Sequence, residues 1–233
     1  MTNKILSIVV LCYNKFNFTR SCLKDLSKLP DDHEIVLINN GSSDETHEEM
    51  LCITDVMPGL QDKLVYHKEK VNGGFAYGSN KGYQLATAPN VCFLNNDIRI
   101  NKDHSTWTQQ IIQHCDRYVV GPTMGQLDNR LNFVKEANEV LPGNSYMSGW
   151  CIASSKKIWN SIYGDGKVFD EDFFCYFEDS NLGFICREKG IPFKVVDIPV
   201  VHFGKTSSKQ LNVPVLYKQA QKIFIKKWSK LIK

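Results

Sequence analysis

Apolar and polar positions along the chain follow two rhythms. Short apolar runs rich in branched side chains, at 6–12, 34–39, 63–67 and 90–94, are bounded by polar or turn-forming residues, a pattern that predicts buried strands. Between them, "NFTRSCLKDLSKL", "SSDETHEEMLCIT" and "GFAYGSNKGYQLATA" space their apolar residues three and four apart, as a helix with one face turned inward requires, and Ser43 or Asp44 suits the N-cap of the second. Three such strand-helix units predict an α/β domain whose central sheet is mostly parallel and flanked by helices. From 103 to 156 the rhythm breaks at Gly121-Pro122, Gly125, Pro142-Gly143 and Gly149, which predicts loops and a small mixed extension of the sheet. Helices follow at "SSKKIWNSIY" and "EDSNLGFICREKG", the latter closed by Gly190, then strands at 193–196 and "IPVVHFG". Without a repeat or a linker, residues 1–233 are expected to form one domain.

In an open sheet of this kind a ligand lies beyond the carboxyl ends of the strands. That rule selects Tyr13 and Asn14 after the first strand, Asn39 and Asn40 after the second, Asn72 to Phe75 after the third, and Asn95, Asn96 and Asp97 after the fourth. Composition narrows the partner only slightly. The chain of 233 residues is 42% hydrophobic with a formal charge of +3, so nothing argues for nucleic acid. Eight cysteines lack CxxC or metal-type spacing and read as free thiols in a reducing compartment. The N-terminal apolar stretch reads as a strand rather than a leader, and no segment has the length of a membrane span, so a cytoplasmic location is expected.

The segments "VVLCYN", "EIVLINNGSSDET", "VNGGFAYGSNKGYQLA", "VCFLNNDI", "FDEDFFCYFEDSNLGFICREKG" and "VVHFGKTS" occur in an order and spacing that resembles the family-2 glycosyltransferases of GT-A fold, most nearly their bacterial rhamnosyltransferase-like members. The resemblance covers most of residues 5–208. It implies an inverting, metal-dependent transfer of a sugar from a nucleotide-diphosphate donor, dTDP- or UDP-linked by preference and rhamnose-like or hexose, to a saccharide hydroxyl in glycan synthesis. It implies a donor-binding half at about 1–102, an acceptor half at about 103–212, and a terminal helix at about 213–233.

Residue by residue, the resemblance implies that Asp97 is the last acid of a DxD-type motif holding Mn²⁺ or Mg²⁺, with His202 completing the metal site. A hard cation suits an oxygen-rich diphosphate, and the imidazole favours Mn²⁺. The competing reading of Asp97 is a turn opener after a strand, and that of His202 a satisfied structural histidine. Asn95 and Asn96 add hydrogen bonds but no charge. Asp179 corresponds to the catalytic base, with Glu178 beside it for the acceptor; acids at a helix start also favour its dipole. Asn39 stands where an acid is usual in the family and, with Asn40, is expected at the nucleotide. Gly73, Gly74, Phe75 and Asn80 are expected to line the donor pocket, Tyr13 its rim, and Lys205 to meet phosphate. Trp150 and Asp172 are expected at the acceptor.

The final segment spaces Tyr217, Ala220, Phe224, Trp228 and Leu231 as one helical stripe with lysines between them. It suits either a helix covering the sheet or a peripheral contact with an anionic membrane carrying a lipid-linked acceptor. Two rivals to the transferase remain: a nucleotide-sugar-binding module without turnover, and a nucleotidyltransferase, which would need a glycine-rich basic loop that "VVLCYNKFNF" lacks.

Overall fold

The branched run at the N-terminus becomes β1 (Leu6–Cys12), every residue of which is buried except the half-buried Leu11. Its side chains alternate between two faces. Ile8, Val10 and Cys12 enter a cluster with Leu23 and Leu26 of α1 (Phe16–Leu26), while Val9 packs on the other side. Each leucine buried in this way contributes roughly 1.5–3 kcal/mol. A strand used on both faces cannot show polar alternation, which is why it reads as a continuous apolar run.

The computed structural model describes residues 3–101, 106–164, 166–204 and 212–231. After β1 and α1 the chain forms β2 (His33–Asn39), α2 (Thr46–Leu51), α3 (Ile53–Val56), β3 (Leu64–Lys68), α4 (Gly74–Leu85), β4 (Asn90–Asn95) and β5 (Ile98–Ile100). The second half contributes α5 (Thr106–Ile112), β6 (Val119–Gly121), β7 (Met124–Leu127), β8 (Phe133–Ala137), β9 (Ser145–Met147), β10 (Cys151–Ser155) and α6 (Lys156–Tyr163). It closes with α7 (Glu178–Glu188), β11 (Phe193–Val195), β12 (Val200–His202) and α8 (Val213–Trp228). The helix expected at 42–54 is broken at Cys52 into α2 and α3.

Seven strands form the central sheet in the order β11-β6-β10-β4-β1-β2-β3, with β10 alone antiparallel to its neighbours. The mostly parallel α/β architecture expected from the sequence is therefore the one found. The irregular middle region both extends this sheet through β6 and β10 and builds a separate three-stranded sheet, β8-β7-β9. A two-stranded ladder, β12-β5, sets His202 opposite Ile98.

Helix α4 lies close on the sheet because it has glycines where side chains would collide: a Cβ on Gly82 would strike Val9, and one on Gly78 would lie 2.8 Å from Leu11. On α8 the apolar stripe faces inward. Ala220, Phe224 and Trp228 are buried with Phe173, Phe177 and Phe184, while Lys218, Lys222 and Lys226 are exposed. The apolar face is thus occupied by the protein's own core; the side chain of Leu231 lies outside the described residues. Among the described residues no helix is long and apolar enough to cross a membrane.

Candidate active site

A cavity of about 580 Å³ opens at the carboxyl ends of β1 and β4. Its near wall is built by the strand exits. Asn14 and Lys15 leave β1 in left-handed conformation, and the turn is laced to the β2 exit: Asn14 N–H donates to Ser42 Oγ at 2.9 Å, Ser43 N–H to Asn14 Oδ1 at 2.8 Å, and Lys15 N–H to Asp44 at 2.7 Å. This fixes Tyr13 at the rim. Asn40, nearly fully buried, donates to Gly74 O at 2.9 Å and Asn72 Oδ1 at 3.1 Å and accepts from Gly73 N–H at 3.2 Å. It therefore shapes the loop that presents Gly74 and Phe75 to the cavity. Gly74 has φ +87°, and a Cβ there would collide with Phe174 O, whose carbonyl accepts from Phe75 N–H at 2.7 Å. Its lack of a side chain lets two backbone segments meet.

Asp97 is buried, with Oδ1 3.1 Å from His202 Nε2. The β5–β12 ladder brings these residues together from far apart in the chain. Three contacts hold the pair: Asn95 Nδ2 lies 3.3 Å from His202 Nε2, Phe203 N–H donates to Asp97 O at 3.0 Å, and Trp150 stacks on the imidazole at 4.9 Å and 9°. The Asn95 N–H in turn donates to Trp150 O at 2.8 Å. Asn96 lines the cavity but donates its amide to Thr19 Oγ1 at 2.9 Å, tying the β4 exit to α1.

On the opposite wall Tyr176 and Phe177 carry φ of 74° and 66°, a conformation costing non-glycine residues on the order of 1–2 kcal/mol each. This bend delivers Glu178 and Asp179 to the cavity at the start of α7. Asp179 Oδ2 accepts from Gly149 N–H at 3.0 Å, and Oδ1 from Ser180 N–H at 2.6 Å. Glu178 Oε2 is buried and has no hydrogen-bond partner among the described residues. Burial, and then the Asp179 charge, push Glu178 up to about 8. Burial also raises Asp179 above its ordinary range; the donors on Gly149 and Ser180 oppose this and the Glu136 charge adds to it. Two adjoining buried carboxyls resist carrying two charges, and the donors on Gly149 and Ser180 make Asp179 the better holder of charge and Glu178 the better holder of the proton.

The cavity thus gathers Tyr13, Asn40, Gly74, Phe75, Asn95, Asn96, Asp97, Trp150, Glu178, Asp179 and His202. Other expected positions turn away. Asn39 is fully buried, its side-chain amide donating to Tyr66 OH at 3.1 Å and its side-chain carbonyl accepting from Ser42 N–H at 2.9 Å, so it supports the β2 exit and does not line the cavity. Asn80 is also buried; it clamps the 168–171 segment through Phe169 O, Glu171 and the N–H groups of Val168 and Phe169. Asp172 is paired with Lys227 at 2.8 Å outside the cavity, and Gly73 serves Asn40 from behind it. Lys205 lies outside the described residues. Phe133, Glu136 and Tyr146 line the cavity and were not foreseen, because the separate β8-β7-β9 sheet brings them there; Ser148 beside them lies in the 147–154 segment that also carries Trp150.

Does this wall suit a cation? Among the described residues the cavity lining includes four carboxyl groups and no lysine or arginine, a poor surface for a diphosphate unless a metal supplies positive charge. Asp97 and His202 are an oxygen-nitrogen donor pair fit for Mn²⁺. Among the described residues no cluster of three protein ligands exists, so the remaining positions would fall to the bound phosphates and water.

A mostly parallel central sheet flanked by helices and continued by antiparallel strands is the fold this chain shares with GT-A glycosyltransferases. The model of that name, Glycosyl transferase family 2, matches residues 7–180, and the chain belongs to this family. It is 26% identical over 141 residues to the amylovoran biosynthesis glycosyltransferase AmsB of Erwinia amylovora, an alignment spanning 59% of this chain and 43% of that protein. The chain therefore spans less than half of that curated relative. Among solved structures it is similar to the mannosyltransferase PcManGT of Pyrobaculum calidifontis in complex with GDP-Man and Mn²⁺, with TM-score 0.55 and 16% identity over 76% of this chain and 50% of that one. It is also similar to GalNAc-T7 with UDP, GalNAc and Mn²⁺, with TM-score 0.71 and 13% identity over 97% of this chain and 48% of the other. These two likenesses concern the fold.

Proposed function

We propose that this chain transfers a sugar from a nucleotide-diphosphate donor to a saccharide hydroxyl, with inversion at the anomeric carbon. The observation that carries the reading is one cavity with the Asp97–His202 pair on one wall and a hydrogen-bonded carboxylate, Asp179, on the other. Residues at about 1–102 serve the donor and those at about 103–212 the acceptor. The ligands in the PcManGT and GalNAc-T7 structures support a nucleotide donor with a divalent cation, and the amylovoran role in the name of AmsB supports a polysaccharide acceptor.

Asp179 accepts the proton of the acceptor hydroxyl as its oxygen bonds to the anomeric carbon and the diphosphate departs with the electron pair of the broken bond. Attack from the face opposite the leaving group gives inversion. The N–H groups of Gly149 and Ser180 hold Asp179 charged and oriented, and Glu178, protonated at neutral pH, donates a hydrogen bond to the acceptor. Phe75, Phe174 and Trp150 give the cavity wall an apolar part against which a sugar ring can pack. A divalent cation bound at Asp97 and His202 would neutralise charge on the diphosphate. The donor base is expected to be a pyrimidine, as in dTDP- or UDP-sugars, carrying a rhamnose-like sugar or a hexose.

The test is nucleotide release from a panel of dTDP-, UDP- and GDP-sugars with Mn²⁺, Mg²⁺ or EDTA, with and without saccharide acceptors. Cation-dependent release of one nucleotide, lost in Asp97→Ala, supports the reading. Calorimetric binding of a nucleotide sugar without release under any condition would replace it with a binding module.

A further inference from the structure

Strand β8 was not expected at the site, yet it directs Phe133 and Glu136 into the cavity. Glu136 is held before any ligand arrives. Its Oε1 accepts from Thr123 Oγ1 and Ser148 Oγ, both at 2.7 Å, and more weakly from Trp150 Nε1 at 3.4 Å. Its Oε2 makes no hydrogen bond among the described residues. Ser148 and its neighbour Gly149 tie Glu136 and Asp179 to one stretch of backbone, since Gly149 N–H donates to Asp179. A fixed carboxylate with one free oxygen beside the proposed base is a preorganised acceptor for a substrate hydrogen bond. Phe133, 55% exposed at the same wall, offers an apolar face for the C–H side of a sugar ring.

The charge of this wall sets what it can hold. No lysine or arginine among the described lining residues offsets Glu136. Building on the transferase reading, we infer that Glu136 selects the acceptor: it accepts a hydrogen bond from a hydroxyl or ammonium group of a neutral or amino sugar beside Asp179 and turns away sugars carrying a carboxylate. Selection arises from repulsion of the wrong acceptor as much as from attraction of the right one.

The experiment is a titration of the intact chain, with UDP and Mn²⁺ present, by the p-nitrophenyl glycosides of glucose, glucosamine and glucuronic acid, followed by saturation-transfer NMR. The wild type is expected to bind the glucuronide at least about tenfold more weakly than the glucoside, the low end of what juxtaposed like charges cost. Glu136→Gln keeps an oxygen for Thr123 and Ser148 and narrows that gap; Glu136→Lys reverses it. Equal binding of glucoside and glucuronide by the wild type, failure of all three to bind, or an unchanged gap in folded Glu136→Gln would overturn the assignment. The wild-type comparison needs no variant to fold. Selective binding without nucleotide release from any donor would remove the transfer reading while leaving the selection by Glu136 standing.

Discussion

Glu178 and Asp179 adjoin in sequence, and the donors on Gly149 and Ser180 favour the charge on Asp179 while burial and that charge favour the proton on Glu178. Asp179→Asn keeps the size and the contact with Gly149 but cannot take a proton, so transfer should fall by about 10²–10⁴-fold while donor binding persists, a contrast read by steady-state kinetics beside calorimetry. Glu178 governs a pH effect of defined sign. Its pKa in the folded chain, about 8, lies above the ordinary 4.5, so between these values the folded state binds more protons than the unfolded one. Stability contributed by the buried neutral acid is full below about 4.5 and is lost as pH rises through about 8. Thermal melts should show Glu178→Gln removing that decline. Asn39 and Asn80 show the limit of reading single residues: an amide after a strand or on a helix looks the same whether it faces a ligand or the protein, and here Tyr66 and Phe169 claim them.

At the scale of elements, α8 locks the helix that carries the carboxylate pair. Trp228 Nε1 donates to Asn181 Oδ1 at 3.0 Å, Asn181 donates to Tyr163 OH at 3.1 Å, and Phe224 packs between Phe177 and Phe184. Trp228→Ala should cost roughly 3–5 kcal/mol by denaturant unfolding and, because α7 loosens, lower activity as well. The stripe of α8 was legible as periodicity; what it covered was not, since a stripe does not name its partner. The strands of the parallel half were legible because two-sided burial leaves an unbroken apolar run. β8 was not, because its residues are exposed or half-buried and among the described residues it pairs with β7 alone.

For the molecule as a whole, the proposed function makes metal and nucleotide interdependent, because the cavity lining is anionic. In thermal-shift measurements, UDP or GDP with Mn²⁺ should raise the melting temperature more than the sum of the two alone, and Asp97→Ala or His202→Ala should abolish the excess. The arrangement behind this prediction was readable in the sequence only in part. Asp97 follows a recognisable strand, whereas its closeness to His202 depends on the β5–β12 pairing, which no local pattern encodes.

That pairing has a consequence for synthesis on the ribosome. The strands β1 to β4 can dock as soon as they emerge, but Asp97 gains its histidine only after the chain has been extended to residue 202 and the late strand has folded back onto β5. On the proposed reading, a nascent chain would lack its metal-holding pair until the residues assigned to the acceptor half have been made.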